Sequence, residues 1–267
     1  MTIVTLTTDF GSLYPASLKA VILGMEPGTQ IVDITHSVRH ADIRAGAFAL
    51  YTVVDYFPKG TVHVAVVDPG VGTQRNSIVI SSGGQFFVGP DNGLMVPAAL
   101  RLGDMQVYRI KGTELLGDVS TTFHGRDVFA RIGAYLSGGV APERAGEKTD
   151  DYVHLDFGNV EVGVNSVSGE VIYIDDFGNV ITNIPGTVVS DLVHFGEVVK
   201  VSGRDMPFMH TYGLVDVGEP LSLTGSHGFL EIAVNQGSAA SVLGLRNGDR
   251  IDVRTPQVAA TSTRNVS

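Results

Sequence analysis

Thr61-Val62-His63-Val64-Ala65-Val66-Val67 runs directly into Asp68-Pro69-Gly70-Val71-Gly72. A nearly unbroken apolar and β-branched run that ends in turn residues reads as a strand covered on both faces, and such strands belong to sheets flanked by helices. Polar chemistry begins only where this strand stops, at the carboxyl edge where open α/β sheets carry their sites.

The same texture extends outward from it. Ile3-Val4-Thr5-Leu6-Thr7 is a second β-branched run, ending in Thr8-Asp9-Phe10-Gly11, after which Leu18, Val21, Ile22 and Met25 recur at helical spacing until Pro27-Gly28. Gln30 to Ile34 reads as a strand, Asp42 as a helix N-cap, and Ile43, Ala47, Leu50, Val54 and Phe57 as an apolar helical stripe. Strands at Ser77–Ser81 and Gln85–Val88 and a helix over Asp127–Leu136 continue the alternation, which predicts an N-terminal α/β domain with a mostly parallel central sheet.

From about Val160 the pattern changes. Short β-rich runs at Glu161–Val164, Val171–Ile174, Val180–Ile184, Val198–Val201, Leu221–Leu223, Leu230–Val234 and Arg250–Val253 are separated by Gly, Asn and Asp, as in a small all-β barrel or sandwich. The division expected is residues 1–160 for the α/β domain, 161–255 for a C-terminal all-β barrel-like domain, and 256–267 for a polar, mobile tail.

Composition narrows the chemistry. The 267 residues include no Cys, which removes disulfides, thiolate metal sites and cysteine nucleophiles together. With 18 Lys+Arg against 28 Asp+Glu and a pI near 5.1, the charge balance argues against a nucleic-acid surface. No apolar run reaches the roughly 18 residues of a membrane span, and Met1–Phe10 lacks the basic start of a signal peptide, so a cytoplasmic protein is expected. Glycine, 33 residues, is well above the usual share of about 7% and is expected in turns and close backbone approaches.

Several histidines and glycines invite sharper readings. Gly70-Val71-Gly72 follows a strand, but Arg75 stands where a dinucleotide fingerprint has its third glycine. His36 and His40 lie four apart near Asp42, yet they precede the helix and share no helical face, so no metal is expected. His63, inside the apolar strand, reads as a hydrogen-bonded core residue. His124, in Thr121-Thr122-Phe123-His124-Gly125-Arg126-Asp127 before a helix, reads either as a catalytic histidine or as part of a capping loop.

Seven segments in order resemble one family. They are Thr8–Gly11 (TDFG), Ile31–His36 (IVDITH), Val67–Arg75 (VDPGVGTQR), Pro90–Gly93 (PDNG), Thr122–Asp127 (TFHGRD), Ile174–Ile184 (IDDFGNVITNI), and the stretch from Ser226 to Ala240 around LEIAVNQGSAA. Together they resemble the S-adenosyl-L-methionine (SAM) hydroxide adenosyltransferases, adenosine-forming hydrolases related to fluorinase and chlorinase. The resemblance implies SAM as substrate with no cofactor or metal, no nucleic-acid or membrane partner, and a homotrimer with sites at subunit interfaces.

It also implies roles. Asp68, Arg75 and His124 match the family's nucleophile-handling set. Asp9 resembles the carboxylate that grips the ribose hydroxyls, Asp175 the acid facing the methionine ammonium, and Asn179 the amide on the adenine edge. Tyr212 resembles the aromatic that stacks on adenine, Ser226 a hydroxyl near the amino-acid end, and Glu231 and Val234 further contacts. The halogenases resemble this chain less at the decisive points: they carry Tyr at the place of Asp68, Thr at that of Val71, and Tyr-Ser at that of His124-Gly125. His227 stands where fluorinase has an arginine for the methionine carboxylate, which leaves that contact open. The alternatives are a SAM-dependent halogenase and a non-catalytic SAM or adenosine sensor.

Magnitudes constrain the mechanism. Making hydroxide at pH 7 means lowering water's pKa by roughly 9 units, about 12 kcal/mol. A guanidinium about 3.5 Å away at an effective dielectric near 20 supplies only about 5 kcal/mol. The remainder can come from the sulfonium charge of the substrate or from proton transfer concerted with attack, to His124 or Asp68; the concerted route with neutral His124 as acceptor is the expectation, Asp68 then orienting His124 or Arg75.

Overall fold

The computed structural model describes residues 2–111 and 116–255. The expected tail, 256–267, lies outside the described residues. The chain forms two compact units, Met1–Asp156 and Phe157–Ser267.

The first unit contains strands β1 (Ile3–Thr8), β2 (Gln30–Thr35), β3 (Val62–Val66), β4 (Ser77–Ser82), β5 (Gln85–Pro90), β6 (Met105–Ile110) and β7 (Gly146–Thr149). Its helices are α1 (Pro15–Met25), α2 (Ile43–Val53), α3 (Val96–Arg101), α4 (Ala130–Ser137) and α5 (Pro142–Ala145). The strands form one sheet in the order β2-β1-β3-β5-β4-β6-β7. Its parallel run, β2-β1-β3-β5, is extended by antiparallel β4, β6 and β7.

Every residue of β3 is buried, as its apolar run predicts. Val62, Val64 and Val66 pack into a core with Leu18 and Ile22 of α1 and Ile132 and Leu136 of α4. His63, on the other face, lies between the rings of Phe57 and Phe87. It is fully buried yet satisfied, Nδ1 bonding Thr5 Oγ1 at 2.7 Å and Nε2 bonding Gln85 Oε1 at 2.6 Å. Burial pushes its pKa down to about 4. Asp42 caps α2 as expected, accepting from the Ala45 amide at 3.0 Å.

The helix expected from Asp127 starts differently: Gly125–Phe129 is a π-helical turn that leads into α4. Such turns reposition side chains and recur near functional sites.

The second unit contains β8 (Glu161–Val162), β9 (Ser166–Ile174), β10 (Val180–Pro185), β11 (Val198–Val201), β12 (Arg204–Pro207), β13 (Pro220–Thr224), β14 (Phe229–Val234) and β15 (Arg250–Arg254), with short helices α6 (Gly186–Leu192) and α7 (Ala239–Leu243). The order β12-β11-β15-β9-β10-β14-β13 is antiparallel throughout, with β8 added on β9. Phe208, just past β12, bridges Ser222 in β13, so the two ends of the sheet meet and it curls into a nearly closed barrel. Val167, Val171, Val199, Phe208, Leu230 and Ile251 fill its interior.

Candidate active site

β1 and β3 are neighbours in parallel register, with Thr8 opposite Val66. Their carboxyl ends therefore set Asp9 and Asp68 side by side at the sheet edge. Both line one cleft of about 270 Å3 with Phe10, Tyr14, Val71, His124 and Gly125.

The loop after β3 folds back so that Arg75 meets Asp68. Arg75 Nε donates to Asp68 Oδ1 at 2.9 Å and to Oδ2 at 3.1 Å, and Nη2 donates to Oδ2 in a close contact. The second Nη2 hydrogen goes to His124 Nδ1 at 2.9 Å, while Nη1 donates to Asn76 O at 3.1 Å and Ser77 Oγ at 2.9 Å. Every guanidinium N–H is thereby engaged, and the plane lies over the Phe129 ring with 5.2 Å between Cζ and its centroid. The fold back requires Gly72, whose φ is +76° and whose missing Cβ would sit 2.5 Å from the Thr121 carbonyl oxygen.

One consequence follows for His124. A guanidinium only donates, so Nδ1 must accept, and the single ring proton of the neutral imidazole stays on Nε2. Burial, and after it the Arg75 charge, hold His124 below its ordinary pKa and keep it neutral. The group expected to receive a proton is thus tautomerically arranged to donate one from Nε2.

Asp9 Oδ2 accepts from the Ala41 amide at 3.1 Å and lies 3.2 Å from His40 Nδ1. His36 faces Thr8 Oγ1 through Nδ1 at 2.8 Å, with Nε2 3.1 Å from Asp33 Oδ1. Among the described residues no group of three His, Asp or Glu is arranged to hold a metal ion.

The second unit carries a separate cleft of about 600 Å3, lined by Asp175, Phe177, Asn179, Tyr212, Val234, Asn235, Gln236 and Gly237. Asp175 sits in a tight turn: Oδ1 accepts from the Phe177 and Asn179 amides at 3.0 and 2.8 Å, and Oδ2 from Asn179 Nδ2 at 2.9 Å. Gly178, at φ +82°, passes so close to Ser238 that a Cβ would lie 2.1 Å from its Oγ.

Tyr212 donates its hydroxyl to buried Glu231 Oε1 at 2.7 Å; burial and then this bond push the phenol pKa up. His227 accepts from the Phe229 amide at Nδ1, 3.2 Å, so its Nε2 carries the proton that faces Glu231 Oε2 at 3.3 Å. Asp175, Asn179, Tyr212 and Val234 thus share one cleft, and Glu231 supports Tyr212 from behind. Ser226, exposed in the turn between β13 and β14, is not among the lining residues. Phe177 and Gln236 also line the cleft, and sequence alone does not mark them as site residues. Both lie in turns, Phe177 81% exposed and Gln236 at φ +55°, and neither carries a periodic signal.

Known proteins match this chain over most of its length. The model of the SAM hydroxide adenosyltransferase N-terminal domain matches residues 4–146, and that of the C-terminal domain matches residues 169–252. A Salinispora tropica protein named (R)-S-adenosyl-L-methionine hydrolase is 38% identical over 256 residues, covering 94% of this chain and 97% of its own. A Thermus thermophilus protein of the same name is 38% identical, with 90% and 95% covered. A Nocardia brasiliensis protein named fluorinase is more distant, at 26% identity with 90% and 91% covered. The crystal structure of an uncharacterized conserved protein from Thermotoga maritima superposes with a TM-score of 0.88 at 41% identity, covering 94% of this chain and 99% of that one. The chain belongs to the SAM hydroxide adenosyltransferase family.

Proposed function

We propose that the protein hydrolyses S-adenosyl-L-methionine to adenosine and L-methionine, water attacking C5′ with methionine as leaving group. The observation that carries the reading is the Asp68–Arg75–His124 network, built on one saturated guanidinium at a cleft that also holds Asp9.

The sulfonium already carries the positive charge that makes methionine a good leaving group, so the displacement calls for a placed oxygen nucleophile and no cofactor. His124 Nε2–H donates to the water oxygen and fixes its orientation; a water hydrogen points to Asp68 Oδ1. As the O–C5′ bond forms and the C5′–S pair returns to sulfur, the water oxygen becomes positive and its proton far more acidic than in free water. A carboxylate then suffices as acceptor, and the roughly 12 kcal/mol needed for free hydroxide never arises. In this assignment the roles expected from sequence are exchanged: Asp68 takes the proton and His124 orients. Arg75 has no N–H left for water and acts by holding both.

Asp9 binds the ribose hydroxyls. Asp175, Asn179, Tyr212 and Val234 bind the adenosine and methionine ends, and Ser226 completes the amino-acid end. Glu231 serves by fixing the Tyr212 ring. Large apolar side chains stand exposed beside both clefts, Leu13 and Tyr14 in the first unit and Phe177 and Leu214 in the second. This favours completion of each site between copies in a homotrimer. No helix among the described residues is long and apolar enough to cross a membrane, and a cytoplasmic location belongs to the same proposal.

The test is incubation with SAM and chromatographic detection of adenosine and methionine, with parallel chloride and fluoride arms. Equimolar adenosine and methionine are expected. A 5′-halo-5′-deoxyadenosine product would establish the halogenase instead, and absence of methionine release over hours would contradict the hydrolase and revive the sensor alternative. A mixed trimer of Asp68→Asn and Asn179→Ala chains should recover activity that neither parent has if sites are shared between copies; no recovery would contradict that sharing.

A further inference from the structure

The segment Pro90-Asp91-Asn92-Gly93 touches no part of the proposed reaction, yet it is bonded at both feet of the loop that carries Asp68 and Arg75. That loop leaves β3 at Val67 and enters β4 after Asn76. β3 and β4 are not neighbours: β5 lies between them. The loop therefore crosses over the carboxyl end of β5, and Asp91-Asn92 emerges beneath it.

At the first foot, Asn92 Nδ2 donates to the Val67 carbonyl at 2.8 Å, one residue before Asp68. At the second, the Asp91 amide donates to the Asn76 carbonyl at 3.0 Å and Asn76 Nδ2 reaches Asp91 Oδ2 at 3.4 Å. The same Asn76 carbonyl accepts from Arg75 Nη1, so the second foot bears on the guanidinium itself. Asp91 is buried and further fixed by the Val153 amide, which donates to Oδ1 at 2.8 Å. Asn92 is fixed by its own turn, its Oδ1 accepting from the Leu94 amide at 3.2 Å.

We infer that Asp91 and Asn92 are positioning residues that clasp the two feet of the 67–76 loop and set the distance and angle between Asp68 and Arg75. The inference rests on the proposed role of that pair. Position 92 needs a donor toward Val67 and an acceptor toward Leu94 in one short side chain, and among side chains of this size and shape an amide has both. Aspartate at this place keeps the shape and the Leu94 bond but has nothing to donate to Val67, and sets a negative charge against a carbonyl oxygen. Misplacement of reacting groups by about 1 Å costs on the order of a hundredfold in rate without a matching cost in binding.

The experiment compares wild type, Asn92→Asp and Asn76→Ala in the full chain. It measures kcat and KM for SAM, adenosine affinity by calorimetry, and amide hydrogen exchange over residues 67–76. Asn92→Asp should lose tenfold or more in kcat, keep adenosine affinity within threefold, and exchange the loop amides at least tenfold faster. Asn76→Ala, which removes one side-chain bond and keeps both backbone bonds, should lose about three- to tenfold in kcat. A kcat for Asn92→Asp within twofold of wild type overturns the inference, as does an equal loss of kcat and adenosine affinity, the mark of a merely structural role. If Asn92→Asp does not fold, Asn76→Ala decides, and unchanged kcat overturns. If wild type itself does not turn over SAM, the functional reading fails, and loop exchange in Asn92→Asp still decides the clasp: unchanged exchange overturns it.

Discussion

The two clefts are built on opposite plans. In the first unit the candidate side chains at positions 68, 75 and 124 are satisfied by one another, through a guanidinium that has no hydrogen to spare, and Asp9 lines the same cleft. In the second unit Asp175 is satisfied by the backbone of its own turn and by the amide four residues on. Long-range networks fix angles, because moving one member strains all the others. Local turns fix a shape that survives the loss of a distant neighbour. A reaction that depends on the approach angle of water belongs on the first plan, and recognition of a flat base and an amino acid belongs on the second.

The largest effect expected from breaking this contrast is at Arg75. Lysine keeps the charge but loses the planar fork that joins Asp68, His124 and Asn76, and kcat should fall by about 10²–10³ with adenosine affinity nearly unchanged. Steady-state kinetics and calorimetry check this, and a kcat within threefold of wild type would break the assignment. Tyr212→Phe should behave in the opposite sense: the ring remains, buried Glu231 loses a donor, and about 1–3 kcal/mol is lost mainly in KM. A selective drop in kcat there would erase the distinction between the two clefts.

A third prediction separates two histidines held neutral by burial in the same unit. His63 has no role at the cleft, and its folded pKa of about 4 lies below the unfolded value near 6.5. Its neutral form is the one the fold accepts, so its contribution is intact above about pH 6.5 and is lost as pH falls toward 4. By pH 4.5 the loss is about 2–3 kcal/mol of folding stability. Denaturant unfolding at pH 7.5 and 4.5, compared with His63→Gln, should show the wild type losing more by that amount; equal losses would contradict it. His124 should instead govern rate: protonation of Nδ1 puts a hydrogen against the guanidinium, so kcat should fall at acid pH with a midpoint below 6.5. A midpoint above pH 7 in the pH–rate profile would contradict the burial and charge effects assigned to it.

How much of this the sequence reveals follows the same division. β3 is legible because seven residues in a row have only one environment that suits them, and Asp42 because a cap needs an acceptor at one place. β12, Arg204-Asp205-Met206-Pro207, is not legible: it has little apolar content, and it gains strand form from pairing with β11 along one side. β7, Gly146-Glu147-Lys148-Thr149, is an edge strand missed for the same reason. Candidate site residues other than Tyr212 are legible as members of short, contiguous motifs. The exchange of roles between Asp68 and His124 is not, because the tautomer is decided by a hydrogen bond across 49 residues that no local pattern encodes.

In the proposed reaction, water oxygen replaces sulfur at C5′. Incubation of the enzyme with SAM in ¹⁸O-water, followed by mass analysis of both products, tests it most directly. Adenosine heavier by one ¹⁸O, located on the 5′-oxygen, and methionine without label are expected. Label in methionine, or unlabelled adenosine, would contradict it.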